Sequence, residues 1–241
     1  MRFFQNKFWI LLLVTFIVAN NNIHAQDTTS TIENGLKLAK DKKYNEAVLV
    51  FEKCIKKSPE NADLYFYLGN AYLDLLNIGK AIENFSQSIG FNSNYADAYF
   101  NRAGCYFQIK EFQSAYKDYS KVLLLNPRNT YVFYLRGNCS YKLANYTDAI
   151  SDYESALKDN VNLHEAEFEM GNAYFSLGNN EKALIHYEQA IKINNTYSNY
   201  YFNRAIAEYN LGFPEDACSD FKNAKDLGDP EAESYIKEFC K

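Results

Sequence analysis

Between residues 62 and 95 the apolar side chains fall three and four positions apart. Tyr65, Leu68, Gly69 and Tyr72 make one run, and Ala81, Phe85 and Ile89 make a second. That spacing puts each run on one face of a helix, because a helix turns once in 3.6 residues. Short polar stretches such as Lys110-Glu111 and Gly178-Asn179-Asn180 separate runs of this kind, while Pro59 and Pro127 stand where a helix must stop. The pattern predicts antiparallel pairs of amphipathic helices joined by tight turns.

The pairs recur with a period of 34 residues. Ala47, Ala81, Ala115, Ala149, Ala183 and Ala217 are spaced by that interval, and four residues after each comes a ring: Phe51, Phe85, Tyr119, Tyr153, Tyr187 and Phe221. Twelve residues before each alanine stands Gly35, Gly69, Ala103, Gly137, Gly171 or Ala205. Three positions held in phase over six copies, with no insertion, define an internal repeat. The small residues let paired helices approach closely, and each ring, worth on the order of 150–250 Å² of buried surface, fills the space between them.

One pentapeptide, YFNRA, occupies both 99–103 and 201–205, three periods apart. Its arginine has a correlate sixteen residues later: Arg102 with Asp118, Arg136 with Asp152, Arg204 with Asp220. Where the arginine is replaced the aspartate is too, since Leu68 goes with Asn84, Met170 with His186 and Asn34 with Val50. With the turn midway, the two positions stand level across a hairpin. A structural ion pair inside each such repeat is expected, partly buried and suited to bidentate geometry.

The chain resembles the tetratricopeptide repeat family. Tyr65, Leu68, Gly69, Tyr72, Ala81 and Phe85 follow its pattern in one repeat, and Met170, Gly171, Tyr174, Ala183, Tyr187 and Ala190 in another. Thr31 and Glu167 depart from it at the leading aromatic, and Ser93, Val161 and Asn195 at the final proline. The resemblance implies an all-α fold, a right-handed α-solenoid of six helix pairs. Its repeats would span 28–61, 62–95, 96–129, 130–163, 164–197 and 198–231, with a capping helix at 231–240, all within one domain, 26–241.

The resemblance also implies a concave groove lined by the first helices, in which a protein or peptide partner would bind. The residues at its groove positions are Phe66, Phe100, Tyr134, Phe168 and Phe202, then Phe107, Tyr141, Phe175 and Tyr209, with Asn70, Asn101, Asn138, Asn172 and Asn203. Rings and carboxamides together offer apolar contact and two-way hydrogen bonding to a peptide backbone. Rings flanked by carboxamides also suit sugars, so a glycan-binding module of the cell envelope is the alternative expectation. Family members that grip a chaperone's C-terminal carboxylate need basic residues where this chain has Ile32, Asp63, Asp97 and Asn101, so that activity is not expected.

The N-terminus changes the picture of where this happens. Arg2 and Lys7 precede a stretch from Phe8 to Ala19 that is apolar except for Thr15, and Ile23-His24-Ala25 ends in a small residue. That order is a secretory signal peptide over residues 1–25, cleaved near Ala25, and the apolar run is shorter than the ~20 residues of a spanning helix. An exported mature chain, periplasmic or secreted, without a membrane span is expected. Its 23 basic against 30 acidic residues give a net charge of −7, which disfavours nucleic acid.

Five cysteines meet an oxidising compartment in that case. Cys54, Cys105 and Cys139 take positions that hold alanine in other repeats and read as small core residues. Cys218 and Cys240 each lie eleven residues from Asp229, level across the last turn, and are expected to form a disulfide that pins the cap. No Cys-x-x-Cys or His-rich spacing suggests a metal. No phosphate loop or nucleophile with its base is visible, so neither cofactor nor enzymatic activity is expected.

Overall fold

The computed structural model describes residues 31–158 and 163–240. The expected leader, residues 1–25, lies outside the described residues. Among the described residues the chain is all helix and turn, with no strand. The helices are α1 (31–40), α2 (Tyr44–Lys57), α3 (Ala62–Asp74), α4 (Ile78–Phe91), α5 (Ala96–Gln108), α6 (Phe112–Leu125), α7 (Thr130–Lys142), α8 (Tyr146–Leu157), α9 (His164–Ser176), α10 (Asn180–Ile193), α11 (Ser198–Asn210), α12 (Pro214–Asp226) and α13 (Ala232–Phe239). They belong to two compact units, one ending at Cys105 and the other starting at Tyr106.

The turn inside each hairpin is built the same way every time. Lys42, Leu76, Lys110, Ala144, Gly178 and Gly212, one per period, all have positive φ, between 58° and 84°. After α3 the amide of Leu76 donates to the Leu73 carbonyl at 2.9 Å and that of Asn77 to the Tyr72 carbonyl at 2.8 Å. These two bonds satisfy the last carbonyls of the helix in a Schellman motif. Asn77 then opens the next helix, its Oδ1 accepting from the Lys80 amide at 3.2 Å. Asn179 repeats the device, with its amide on the Tyr174 carbonyl and its side chain on the Lys182 amide.

In the first unit α2, α3 and α4 pack in succession around Ala47, Phe51, Leu64, Leu68, Ala81 and Phe85. The second unit has a string of small clusters. One joins Ala149, Tyr153, Met170 and Ala173, one Phe168, Ala183, Tyr187 and Tyr200, and one Phe202, Ala205, Phe221 and Ala224. Each cluster takes residues from adjacent helices only, so stability in this unit comes from neighbour-to-neighbour contacts.

The period's glycines answer to the rings opposite. A Cβ on Gly69 would sit 2.7 Å from a carbon of Phe85, and one on Gly171 would sit 2.6 Å from Tyr187. The sequence reading assigned these glycines to backbone approach; the atom that needs their space is the ring of the second helix.

Helix α13 closes the second unit. Its Tyr235 ring lies 4.9 Å from Phe202 and 5.2 Å from Phe221, and Phe239 lies 4.6 Å from Tyr209. Cys218 and Cys240 form a disulfide with Cα atoms 5.6 Å apart, while Cys54, Cys105 and Cys139 are buried and lie outside it. No described helix is long and apolar enough to cross a membrane.

Candidate functional site

The first helices of the second unit, α7, α9 and α11, together with Tyr187 of α10, carry the side chains that converge on a cavity of about 140 Å³. Tyr141, Phe175 and Ile206 give it apolar walls, and Asn172, Asn203 and Tyr187 give it a polar base. Four of the six, Tyr141, Asn172, Phe175 and Asn203, are among the residues expected to line a groove.

The base is a hydrogen-bond network centred on Asn172. Oδ1 of Asn172 accepts from the Tyr187 hydroxyl and from Nδ2 of Asn203, both at 2.9 Å, and its own Nδ2 donates to Glu169 Oε2 at 3.1 Å. Asn138 has a matching bond, accepting from the Tyr153 hydroxyl at 2.9 Å. Burial pushes the Tyr153 and Tyr187 phenols up, so both are neutral donors. Burial also raises the Glu169 carboxyl, against the opposing pull of the Asn172 amide and Lys142. Tyr141 reaches across the wall, its hydroxyl 3.3 Å from Ser176 Oγ.

Other expected groove residues have different surroundings. Phe168 and Phe202 are only 7% and 9% exposed. Phe168 stacks on Tyr200 at 4.4 Å, and Phe202 packs on Phe221 and Tyr235, so these two rings hold neighbouring hairpins together and do not form open groove surface. Tyr134 is half-buried beside Tyr131 and Tyr153, and Tyr209 is exposed on one side and covered by Phe239 on the other. In the first unit Phe66 packs against Tyr95 and Phe85, and Asn70 accepts from Asn101 Nδ2 at 2.7 Å. Phe100 is half-buried in that unit; in the second, Phe107 sits edge-on to Phe112.

The arginines are held inside the repeats. Arg136 grips Asp152 with two bonds and reaches Ser120 Oγ at 3.3 Å. Arg204 grips Asp220, also with two. Arg102 donates to Ser86 Oγ at 2.9 Å in the first unit, and Asp118 is buried in the second.

Sequence reasoning missed Glu169, Tyr187 and Ile206 as parts of the site. A signal for two of them is in the period. Glu169 stands where Asn101 and Asn203 stand in other repeats, and Ile206 where Asn70, Asn138 and Asn172 stand.

Antiparallel helix hairpins in register define an α-helical repeat protein, the class of scaffolds for protein–protein interaction. Models of two repeat families match the chain: one described as TPR repeat over residues 35–75 and 171–212, and one described as tetratricopeptide repeat over 96–129. Among solved structures, YrrB, described as a TPR protein with an unusual peptide-binding site, aligns with a TM-score of 0.68 and 21% identity, over 78% of this chain and 97% of its own. PilF of Pseudomonas aeruginosa aligns with 0.68 and 19% identity, over 88% and 97%. The C-terminal part of a TPR repeat-containing protein from Cytophaga hutchinsonii gives 0.70 and 17%, over 86% and 83%. A comparison with curated protein sequences finds no match. The chain is a tetratricopeptide repeat protein, with the all-α fold of a TPR solenoid. Proteins of this kind are generally non-catalytic and take protein or peptide partners.

Proposed function

We propose that the chain is an exported, non-catalytic scaffold that holds a segment of a partner protein against the face made by α7, α9 and α11. The observation that carries this reading is the cavity walled by Tyr141, Phe175 and Ile206 above a base in which Asn172 and the Tyr187 hydroxyl are already hydrogen-bonded. Its size suits one aliphatic or aromatic side chain, and filling it removes apolar surface from water while the Asn172 and Tyr187 bonds at its base stay made. The same feature favours a peptide over a glycan. A sugar needs free donors and acceptors, and Asn172 already uses its oxygen twice and its amide once.

A photo-crosslinking residue at position 175, introduced into the full chain in its native cells, tests this. It should capture one protein through a short segment, and a synthetic peptide of that segment should compete. Equal capture from position 154, on the second helix of a hairpin, would overturn it. Export is tested by N-terminal sequencing of the purified native protein, which should start next to Ala25; an intact Met1 would refute it.

A further inference from the structure

The α10–α12 side of the second unit carries a second, larger cavity of about 460 Å³, and it has a cause in the repeat. At one phase of the 34-residue period the chain places Tyr72, Tyr106 and Tyr174, with Leu38 and Ser140 in two other repeats; the same phase in the last repeat is Glu208, the one acid among the six. Eight residues further on, Lys80 stands over the Tyr72 ring at 4.8 Å and Lys182 over Tyr174 at 4.9 Å. The equivalent of those lysines in the last repeat is Asp216. A ring with a cation over it has become a carboxylate with a second carboxylate nearby. Loss of the ring leaves room, and loss of the lysine leaves negative charge with no cation of its own.

The rest of the lining sharpens the point. Glu188 from α10 and Asp220 from α12 complete four carboxylates around a single guanidinium, Arg204. That guanidinium is committed to Asp220 through two hydrogen bonds, and its nearest approach to Glu208 is 3.8 Å, too long for a third. Glu208 is 8% exposed, and its Oε2 is buried with no hydrogen-bond partner. A buried carboxylate oxygen without a hydrogen-bond partner, beside a guanidinium already shared among other acids, costs folding free energy, and a local rule broken at such a cost is a mark of function. Leu184 and Phe213 add apolar walls. The four carboxylates do not converge as a metal's ligands would: among the described residues no three His, Cys, Asp or Glu side chains do.

We propose that this cavity receives an arginine or lysine side chain of a partner protein, its methylenes against Leu184 and Phe213 and its charged head between Glu208, Asp216 and Glu188. The inserted cation takes the place that Lys80 and Lys182 fill in their own repeats. Arginine suits the site better, since its planar fork addresses two carboxylates at once. The site is separate from the α7–α9–α11 face and stands or falls independently of it.

The test is an NMR titration of the full chain with the blocked tripeptide Gly-Arg-Gly, its citrulline counterpart and methylguanidinium. The arginine peptide should produce saturable shifts at Glu208, Phe213 and Asp216, and the uncharged citrulline peptide none. Methylguanidinium should bind at least several-fold more weakly, because it has no stem to cover the apolar walls. Glu208→Gln should weaken the arginine peptide about tenfold or more. The pair Glu208→Tyr with Asp216→Lys installs the ring and cation that the repeats of Tyr72 and Tyr174 carry, so it should fold and abolish binding. Phe175→Ala, on the other face, should leave binding unchanged. Burial first, then the nearby Asp220, Asp216 and Glu188, raises the Glu208 carboxyl to about 7 against the opposing effect of Arg204. Affinity should therefore fall as pH drops through that value. Equal binding of the citrulline peptide, no binding of the arginine peptide, methylguanidinium binding as tightly as the peptide, or full binding by the double variant would each overturn the proposal.

Discussion

Arg136 and Asp152, sixteen residues apart, meet fork to fork across the α7–α8 hairpin. Nε donates to Oδ2 at 2.8 Å and Nη2 to Oδ1 at 2.6 Å, while Nη1 turns back to Ser120 on α6. One side chain thus ties its own hairpin together and fastens it to the one before. The hydrogen bonds to Asp152 raise the arginine's proton affinity further, so it is charged at any ordinary pH.

Truncating the acid leaves a largely buried guanidinium without its partner. Asp152→Ala should cost about 3–5 kcal/mol, read as a loss in urea midpoint by circular dichroism. Asn84→Ala, at the same phase of a repeat without the arginine, removes a bond from Nδ2 to the Lys80 carbonyl within its own helix and should cost under about 1 kcal/mol. Equal losses at the two positions would show that the pair contributes no more than an ordinary helix side chain.

The hairpin turns offer a gain. Leu76 has φ of 58° and is 83% exposed, so its side chain suffers the left-handed backbone without packing on anything in return. Leu76→Gly should raise stability by roughly 1 kcal/mol, the steric cost of a Cβ in that region less the entropy glycine adds to the unfolded chain. Gly178→Ala should lower it by a similar amount, since nothing crowds that Cβ and only φ is at issue. Calorimetry showing no opposition of sign between the two would count against this account.

Glu167 and His186 are two departures from the repeat pattern that compensate each other. Glu167 replaces the leading aromatic, His186 replaces an aspartate, and His186 Nδ1 lies 2.8 Å from Glu167 Oε2. The imidazole also stacks on Tyr174 at 5.3 Å. A double-mutant cycle through Glu167→Ala and His186→Ala should give a coupling of about 0.5–1.5 kcal/mol. Additive losses would mean the two substitutions arose for separate reasons.

Much of this was legible because the repeat turns one chain into its own comparison set. Phase alone marks Ala47, Ala81 and their equivalents as contact points between helices, and all six are fully buried. The co-occurrence of arginine and aspartate was readable for the same reason, as both positions vary from repeat to repeat. Orientation within a groove was less accessible. Phe168 and Phe202 share a phase with the half-buried Tyr134, yet neighbours unique to each, Tyr200 and Tyr235, decide that they are covered. Pairs such as Glu167 with His186 were also invisible, because each occurs once and a single instance shows no correlation.

The last repeat makes a prediction about pH. A carboxyl raised to about 7 in the folded chain binds its proton more tightly there than in the unfolded chain, where it titrates near the ordinary glutamate value of 4.5. Between those two values the folded state holds the extra proton, so stability falls as pH rises across the window and stays low above it. The full loss is on the order of 3 kcal/mol, from the separation of those two values. Glu208→Gln keeps the shape and removes the charge, so the variant should be more stable than the parent at pH 8 and nearly equal to it at pH 4. Urea midpoints measured from pH 4 to pH 8 give the result directly. Parallel curves for the parent and Glu208→Gln would mean the carboxylate is solvated in the native state, and the proposal that the α10–α12 cavity receives a cationic side chain would fail with it.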